Sequence, residues 1–127
     1  MSEKLSMRDI VAHLKALCQA GGFQAAFLTD HEGLPIAAAA PKRDTEADAV
    51  FLALLHRAAQ QVRHMLNLAR LDELSLVDGE GTRIVCRYLP VEEQSIFLVI
   101  ITAADRPYRR LTSRFLRQVV ARGRQAR

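Results

Sequence analysis

Between residues 6 and 20 the apolar positions Ile10, Val11, Leu14, Leu17 and Cys18 recur at spacings of three and four, which predicts a helix with one buried face. Ser6 with Asp9 resembles a capping box, and Gly21-Gly22 supplies a left-handed stop. Two short apolar runs, residues 23–29 and 34–39, flank Asp30-His31-Glu32-Gly33 and predict a β-hairpin. Pro35 lacks a backbone donor, which places the second strand at a sheet edge and leaves the first free to pair on both sides.

Thr45 followed by Asp48 opens a stretch free of Gly and Pro that predicts a long helix to about Ala69. At 100° per residue its apolar positions, among them Val50, Phe51, Leu52, Leu54, Leu55, Ala58, Ala59, Val62, Met65 and Leu66, cover roughly 200°, about twice the stripe of a one-sided surface helix. One sheet cannot cover that arc. Either an insertion or a second copy of the chain must cover the rest, and 127 residues leave no room for an insertion, so a second copy is expected. Residues 73–77 and 82–89 read as a second hairpin around Asp78-Gly79-Glu80-Gly81, and residues 96–101, apolar throughout, as a central strand covered on both faces. Pro107 opens a final helix to about Arg122, ended by Gly123, with Tyr108, Leu111, Phe115, Leu116, Val119 and Val120 on one face and Arg106, Arg110, Arg114 and Arg117 on the other. The order α-β-β-α-β-β-β-α predicts an α+β three-layer sandwich: a five-stranded antiparallel sheet, two helices on one face and the long helix on the other.

Length and composition agree with one domain over residues 1–127, its core at about 5–122. No apolar run approaches the roughly 20 residues that cross a bilayer, and the first residues carry no secretory pattern, so the expected compartment is the cytoplasm. Charge is divided along the chain. Residues 1–104 hold 10 Lys and Arg against 13 Asp and Glu, whereas residues 105–127 hold 8 Arg and one acid, Asp105. That tail could meet a polyanion such as nucleic acid or an anionic membrane, or it could be a solvated face whose stems cover the apolar stripe. Tyr108 and Phe115 fall on the core side, so a base-stacking platform is missing.

Chemistry is sparse. His13, His31, His56 and His64 form no ligand pair, and His56 and His64 stand about 12 Å apart along one helix, so no metal is expected and both read as solvated. Phosphate loops, dinucleotide fingerprints and nucleophile elbows are absent, so no cofactor and no catalytic residue are expected. Cys18 and Cys86 read as small core residues.

The run Leu28-Thr29-Asp30-His31-Glu32-Gly33-Leu34-Pro35-Ile36-Ala37, preceded by Gly22-Phe23 and followed by the long helix, a hairpin, an apolar strand and Pro107-Tyr108-Arg109-Arg110-Leu111, resembles the Roadblock family of dynein light chains and bacterial MglB-type gliding regulators. The likeness covers residues 5 to 120; the arginine-rich tail lies outside it. It implies a homodimer or heterodimer, here expected as a homodimer, formed by joining edge strands, residues 71–77, and by packing the long helices side by side, with Leu52, Leu55, Ala59, Leu66, Leu74 and Leu76 as candidate interface residues. It also implies a platform, without a nucleotide site of its own, for a small Ras-like GTPase whose switch segments it positions. Arg57, Gln60, Gln61 and His64, on the polar side of the long helix, are the candidate contacts. The alternatives are a structural adaptor in a motor or signalling assembly, or an anionic-surface binder acting through the tail.

Overall fold

The computed structural model describes residues 7–39, 44–89 and 96–125, with side chains as far as Val119 in the last helix. Ser6, the loop residues 41–43 and 90–94, Val120 and the side chains of Arg122, Arg124 and Arg127 lie outside the described residues. Helix α1 (Met7–Gly21) stops where the glycines direct it: Gly22 takes φ +65°, and the Phe23 amide donates back to the Cys18 carbonyl at 3.0 Å. Strands β1 (Ala25–Asp30) and β2 (Pro35–Ala39) form the first hairpin. In its turn, the Asp30 carboxylate accepts the amides of Glu32 and Leu34 at 2.9 Å each, and Gly33 takes φ +89°. The second turn repeats the device: Asp78 accepts the amides of Glu80 and Thr82 at 2.9 Å each, and Gly81 takes φ +87°. These backbone donors hold the Asp78 carboxyl below its usual range. Asp-x-x-Gly is thus a three-residue turn with its left-handed position filled by glycine.

Helix α2 (Thr45–Met65) is capped by Asp44, whose carboxylate accepts the Ala47 amide at 3.1 Å, rather than by Thr45. It also ends earlier than Ala69. Asn67 takes φ 55°, its amide donates to the His64 carbonyl at 3.2 Å, and the Leu68 amide donates to Arg63 at 2.9 Å. This is the stop that Gly22 makes after α1, built on asparagine, the residue after glycine most tolerant of the left-handed region.

Strands β3 (Glu73–Val77), β4 (Thr82–Tyr88) and β5 (Ile96–Ala103) complete one antiparallel sheet in the order β2-β1-β5-β4-β3. The fully apolar β5 lies in the middle, paired with β1 and β4, and Pro35 lies on the β2 edge as expected. Helix α3 (Arg109–Gln125) begins after Tyr108, whose carbonyl accepts the first intrahelical bond from Thr112 at 3.0 Å, so Pro107 stands outside the helix. It runs through Gly123: glycine weakens a helix interior but breaks it only where the chain turns left-handed.

Leu14 and Leu17 of α1 and Phe115 and Leu116 of α3 pack with Leu28, Val85, Leu98 and Ile100 on one face of the sheet. On the other, Ala49 and Leu52 of α2 pack with Phe27, Cys86, Phe97, Val99 and Ile101. The sheet is therefore the middle layer of three, with α1 and α3 on one side and α2 on the other.

Candidate protein-interaction site

Only one side of α2 is spent on the sheet. Ala49, Leu52, Ala53 and His56 point inward and are buried, whereas Val50, Phe51, Leu54, Val62, Met65 and Leu66 are about half exposed or more, Phe51 at 68% and Met65 at 83%. These recur at helical spacing and form an apolar stripe along the outward face. The helix makes its close backbone approach to β1 and β2, so the β3–β4 half of the same sheet face is incompletely covered. There Leu74, Ile84 and Tyr88 stay partly exposed, and Leu76 is 51% exposed. Beside them, among the described strands, β3 is an edge paired only with β4. The stripe, the bare sheet face and the open edge together exceed the scattered apolar exposure of an ordinary surface.

The candidate interface residues divide. Leu66 and Leu76 are exposed; Leu55 and Leu74 are half-buried against the inner core, and Ala59 is half-buried. Leu52 is spent on the sheet, only 7% exposed. Phe51 and Leu54, which sequence reasoning counted in the wide apolar arc but not among the candidate interface residues, lie on the outward face; positions 47, 50, 54, 58 and 65, offset from the buried 49, 52, 53 and 56, carry that signal. Arg57, Gln61 and His64 are exposed and Gln60 half-exposed. Gln60, Gln61, Arg63, His64 and Met65 line one wide, shallow depression of about 610 Å³ at the end of α2.

His56 corrects the expectation of a solvated side chain. It is 6% exposed, its Nδ1 lies 2.8 Å from the Tyr88 hydroxyl, and its ring stacks on Phe97 at 5.6 Å. Position 56 continues the inward series of 49 and 52, and the Tyr88 hydroxyl satisfies the ring nitrogen. Burial chiefly, and His31 secondarily, lower the His56 pKa, while burial lifts the Tyr88 phenol to about 12. Because the folded state resists the proton that the unfolded state accepts near pH 6.5, stability is full above that value and falls as pH drops through it toward the lowered folded pKa. Thermal melts should therefore show a loss of stability between neutral pH and about pH 5 that is smaller in His56→Phe. Equal slopes in the two proteins would exclude His56 as the source.

The α3 end of β3 is held by charge. Glu73 accepts from the Tyr108 hydroxyl at 2.7 Å and from Arg109 at 2.6 Å, and Asp72 lies 3.3 Å from Arg109. Arg87, 5% exposed, donates to Thr112 at 2.8 Å and Ser113 at 2.7 Å, with Glu73 at 3.8 Å. Burial and the Glu73 carboxylate raise the Tyr108 phenol, and Arg83 stacks over its ring at 5.6 Å. Arg109 is thus bound to this network, and Arg106 donates to the Gly21 carbonyl at 3.4 Å, at the negative end of α1. Neither belongs to a freely solvated face.

Among the described residues, no group of three or more His, Cys, Asp or Glu side chains is placed to hold a metal. Burial, with Glu73 adding to it, pushes the Cys86 thiol up to about 12, and burial raises Cys18, so neither is poised as a thiolate. No described helix is long and apolar enough to cross a membrane.

No protein-family model matches the chain, and no curated protein matches it. Solved structures do. The gliding protein MglB from Thermus thermophilus is 22% identical with a TM-score of 0.76, over 92% of this chain and 90% of that one. An MglB with a tetrameric arrangement is 21% identical with a TM-score of 0.79, over 95% and 92%. A Roadblock/LC7 domain from Streptomyces avermitilis is 11% identical with a TM-score of 0.75, over 87% and 94%. The chain has the fold of the Roadblock/LC7 domain and of MglB.

Proposed function

We propose that this protein is a cytoplasmic homodimer, without a catalytic site of its own, that binds a small Ras-like GTPase and modulates its GTP cycle by positioning the switch segments. The observation that carries the reading is the outward stripe of α2, Val50, Phe51, Leu54, Val62, Met65 and Leu66, lying next to the bare β3–β4 face and the free β3 edge. A second copy covers all three at once: edge joins edge across a two-fold axis, and the long helices close over the seam. Leu55, Ala59, Leu66, Leu74 and Leu76 then border the seam with the exposed α2 residues, and Leu52 supports it from beneath. That a protein of this fold forms a tetrameric arrangement supports self-association.

The GTPase contact is the polar end of α2, where Arg57 and the depression bordered by Gln60, Gln61 and His64 stand beside the apolar stripe. The role is positional. A surface pressed against switch segments stabilises the ordering that GTP favours and GDP releases, which sets the hydrolysis rate without donating a group.

The test is capture from a lysate of the source organism on immobilised protein, with a non-hydrolysable GTP analogue in one channel and GDP in the other. A small GTPase retained selectively with the GTP analogue is expected. A partner set identical in both channels overturns the reading in favour of a structural adaptor without nucleotide dependence.

A further inference from the structure

The face of the molecule opposite α2 has its own chemistry. On α3, Thr112, Phe115 and Leu116 point into the core and Arg110, Arg114 and Arg117 are exposed. Steps of four and three put these arginines on one line, directed away from the sheet. On α1, Arg8 and Lys15 are exposed at a spacing of seven, which returns to the same side of the helix, while Leu14 and Leu17 point inward. Helices α1 and α3 pack together on one sheet face, their axes about 10 Å apart, so the two basic lines are carried by neighbouring helices of one layer. Helix α3 contains no acidic residue; among the described residues the acids nearby are Asp9 in the first turn of α1, the exposed Asp105 before α3, and Asp72 and Glu73, which are engaged by Arg109. Between the basic positions stand small or neutral side chains, Ala12, Ala16, Gln19 and Gln118, all exposed, and Met7, 53% exposed, stands beside Arg8.

We propose that this outer α1/α3 layer is a docking face for an anionic lipid surface, engaged by Arg8, Lys15, Arg110, Arg114 and Arg117 together. Charge complementarity gives the class of partner, and the shape of the layer selects lipid over nucleic acid. Two helices side by side make a broad, low face, so a planar surface brings both basic lines within a Debye length at once. A nucleic-acid duplex, being convex, curves away from the layer on either side of its line of contact. Single-stranded nucleic acid would need exposed aromatic rings to stack on, and Tyr108 and Phe115 of this layer are buried. Because the face is opposite α2, it leaves the proposed dimer seam and GTPase contact free, and does not depend on either. Where the chain does pair, two such faces act together and tighten the attachment.

Each basic residue held at an anionic surface contributes roughly fivefold in partitioning, so neutralising three is expected to lower it about a hundredfold. The measurement is co-sedimentation of the full chain with vesicles rich in phosphatidylglycerol, with phosphatidylcholine vesicles and with a DNA duplex in parallel arms. Expected are partitioning onto the anionic vesicles alone, its decline as salt rises, and the hundredfold loss in R110Q/R114Q/R117Q, whose three positions are exposed and whose circular dichroism should match the parent. Equal partitioning onto the two kinds of vesicle, or a triple variant that sediments like the parent, overturns the proposal. So does binding to the duplex without binding to vesicles, which would assign the face to nucleic acid.

Discussion

Replacing Leu54 by glutamate should convert a dimer into a folded monomer. Leu54 is 53% exposed in the single chain and stands mid-way along the outward stripe, so a carboxylate there meets water in the monomer and disturbs nothing beneath it. In a two-fold seam the same position occurs twice. A carboxylate buried in an apolar seam costs about 2 kcal/mol or more per copy, hence about 4 per dimer, which is roughly a thousandfold in the dissociation constant. Sedimentation equilibrium should show the mass of one chain with unaltered circular dichroism. Leu52→Ala supplies the contrast: its side chain is 7% exposed and fills the inner core, so about 2–5 kcal/mol of folding stability should be lost, while whatever remains folded stays dimeric. A Leu54→Glu protein with the parent's mass would mean that the α2 stripe is not the seam.

How far the sequence reaches can be seen by comparing Leu54 with His56. The two-period and 3.6-period patterns are local consequences of burial, so the eight elements, the edge position of Pro35 and the central position of β5 can be read from the order of residues. The excess width of the apolar arc also survives, as the uncovered stripe on α2. What a pattern of residue types cannot separate is which half of a wide arc the sheet takes. That is decided by where β1 and β2 lie under the helix, and it sends Leu52 inward and Leu54 outward. His56 shows a second limit. A polar residue on the inward side is readable only once its partner is known, and Tyr88 is 32 positions away. The same holds for Arg87, an alternating strand position whose burial depends on Thr112 and Ser113 arriving from α3. Helix ends are legible when a glycine marks them, as after α1, and not when Asn67 does the same work.

Glu73→Ala should be the most destabilising change of a charged residue, by about 3 kcal/mol, out of the roughly 5–15 that holds a domain of this size together. Among the described residues, Glu73 is the one carboxylate that meets Tyr108, Arg109 and Arg87 at once, at 2.7, 2.6 and 3.8 Å. Arg87 Nε makes no hydrogen bond even with Glu73 in place, so removing that carboxylate takes away the nearest charge to it, leaves the buried guanidinium with Asp72 at 3.7 Å as counter-charge, and leaves the Tyr108 hydroxyl without this acceptor. The reverse change is milder. In Arg87→Met, Glu73 keeps Tyr108 and Arg109, and Thr112 keeps its 2.8 Å bond to the Tyr108 carbonyl, so about 1–2 kcal/mol is expected. The pair should therefore be strongly non-additive: urea unfolding of the double variant should show it more stable than Glu73→Ala alone, because the second substitution removes the stranded guanidinium. A double variant as weak as the sum of the two would show that Glu73 acts through Tyr108 and Arg109, not through Arg87. The position of this network also matters for function. Among the described strands β3 pairs only with β4, and its first residue is tied through Glu73 to the start of α3, so the edge proposed to meet a second chain is held in register within the single chain.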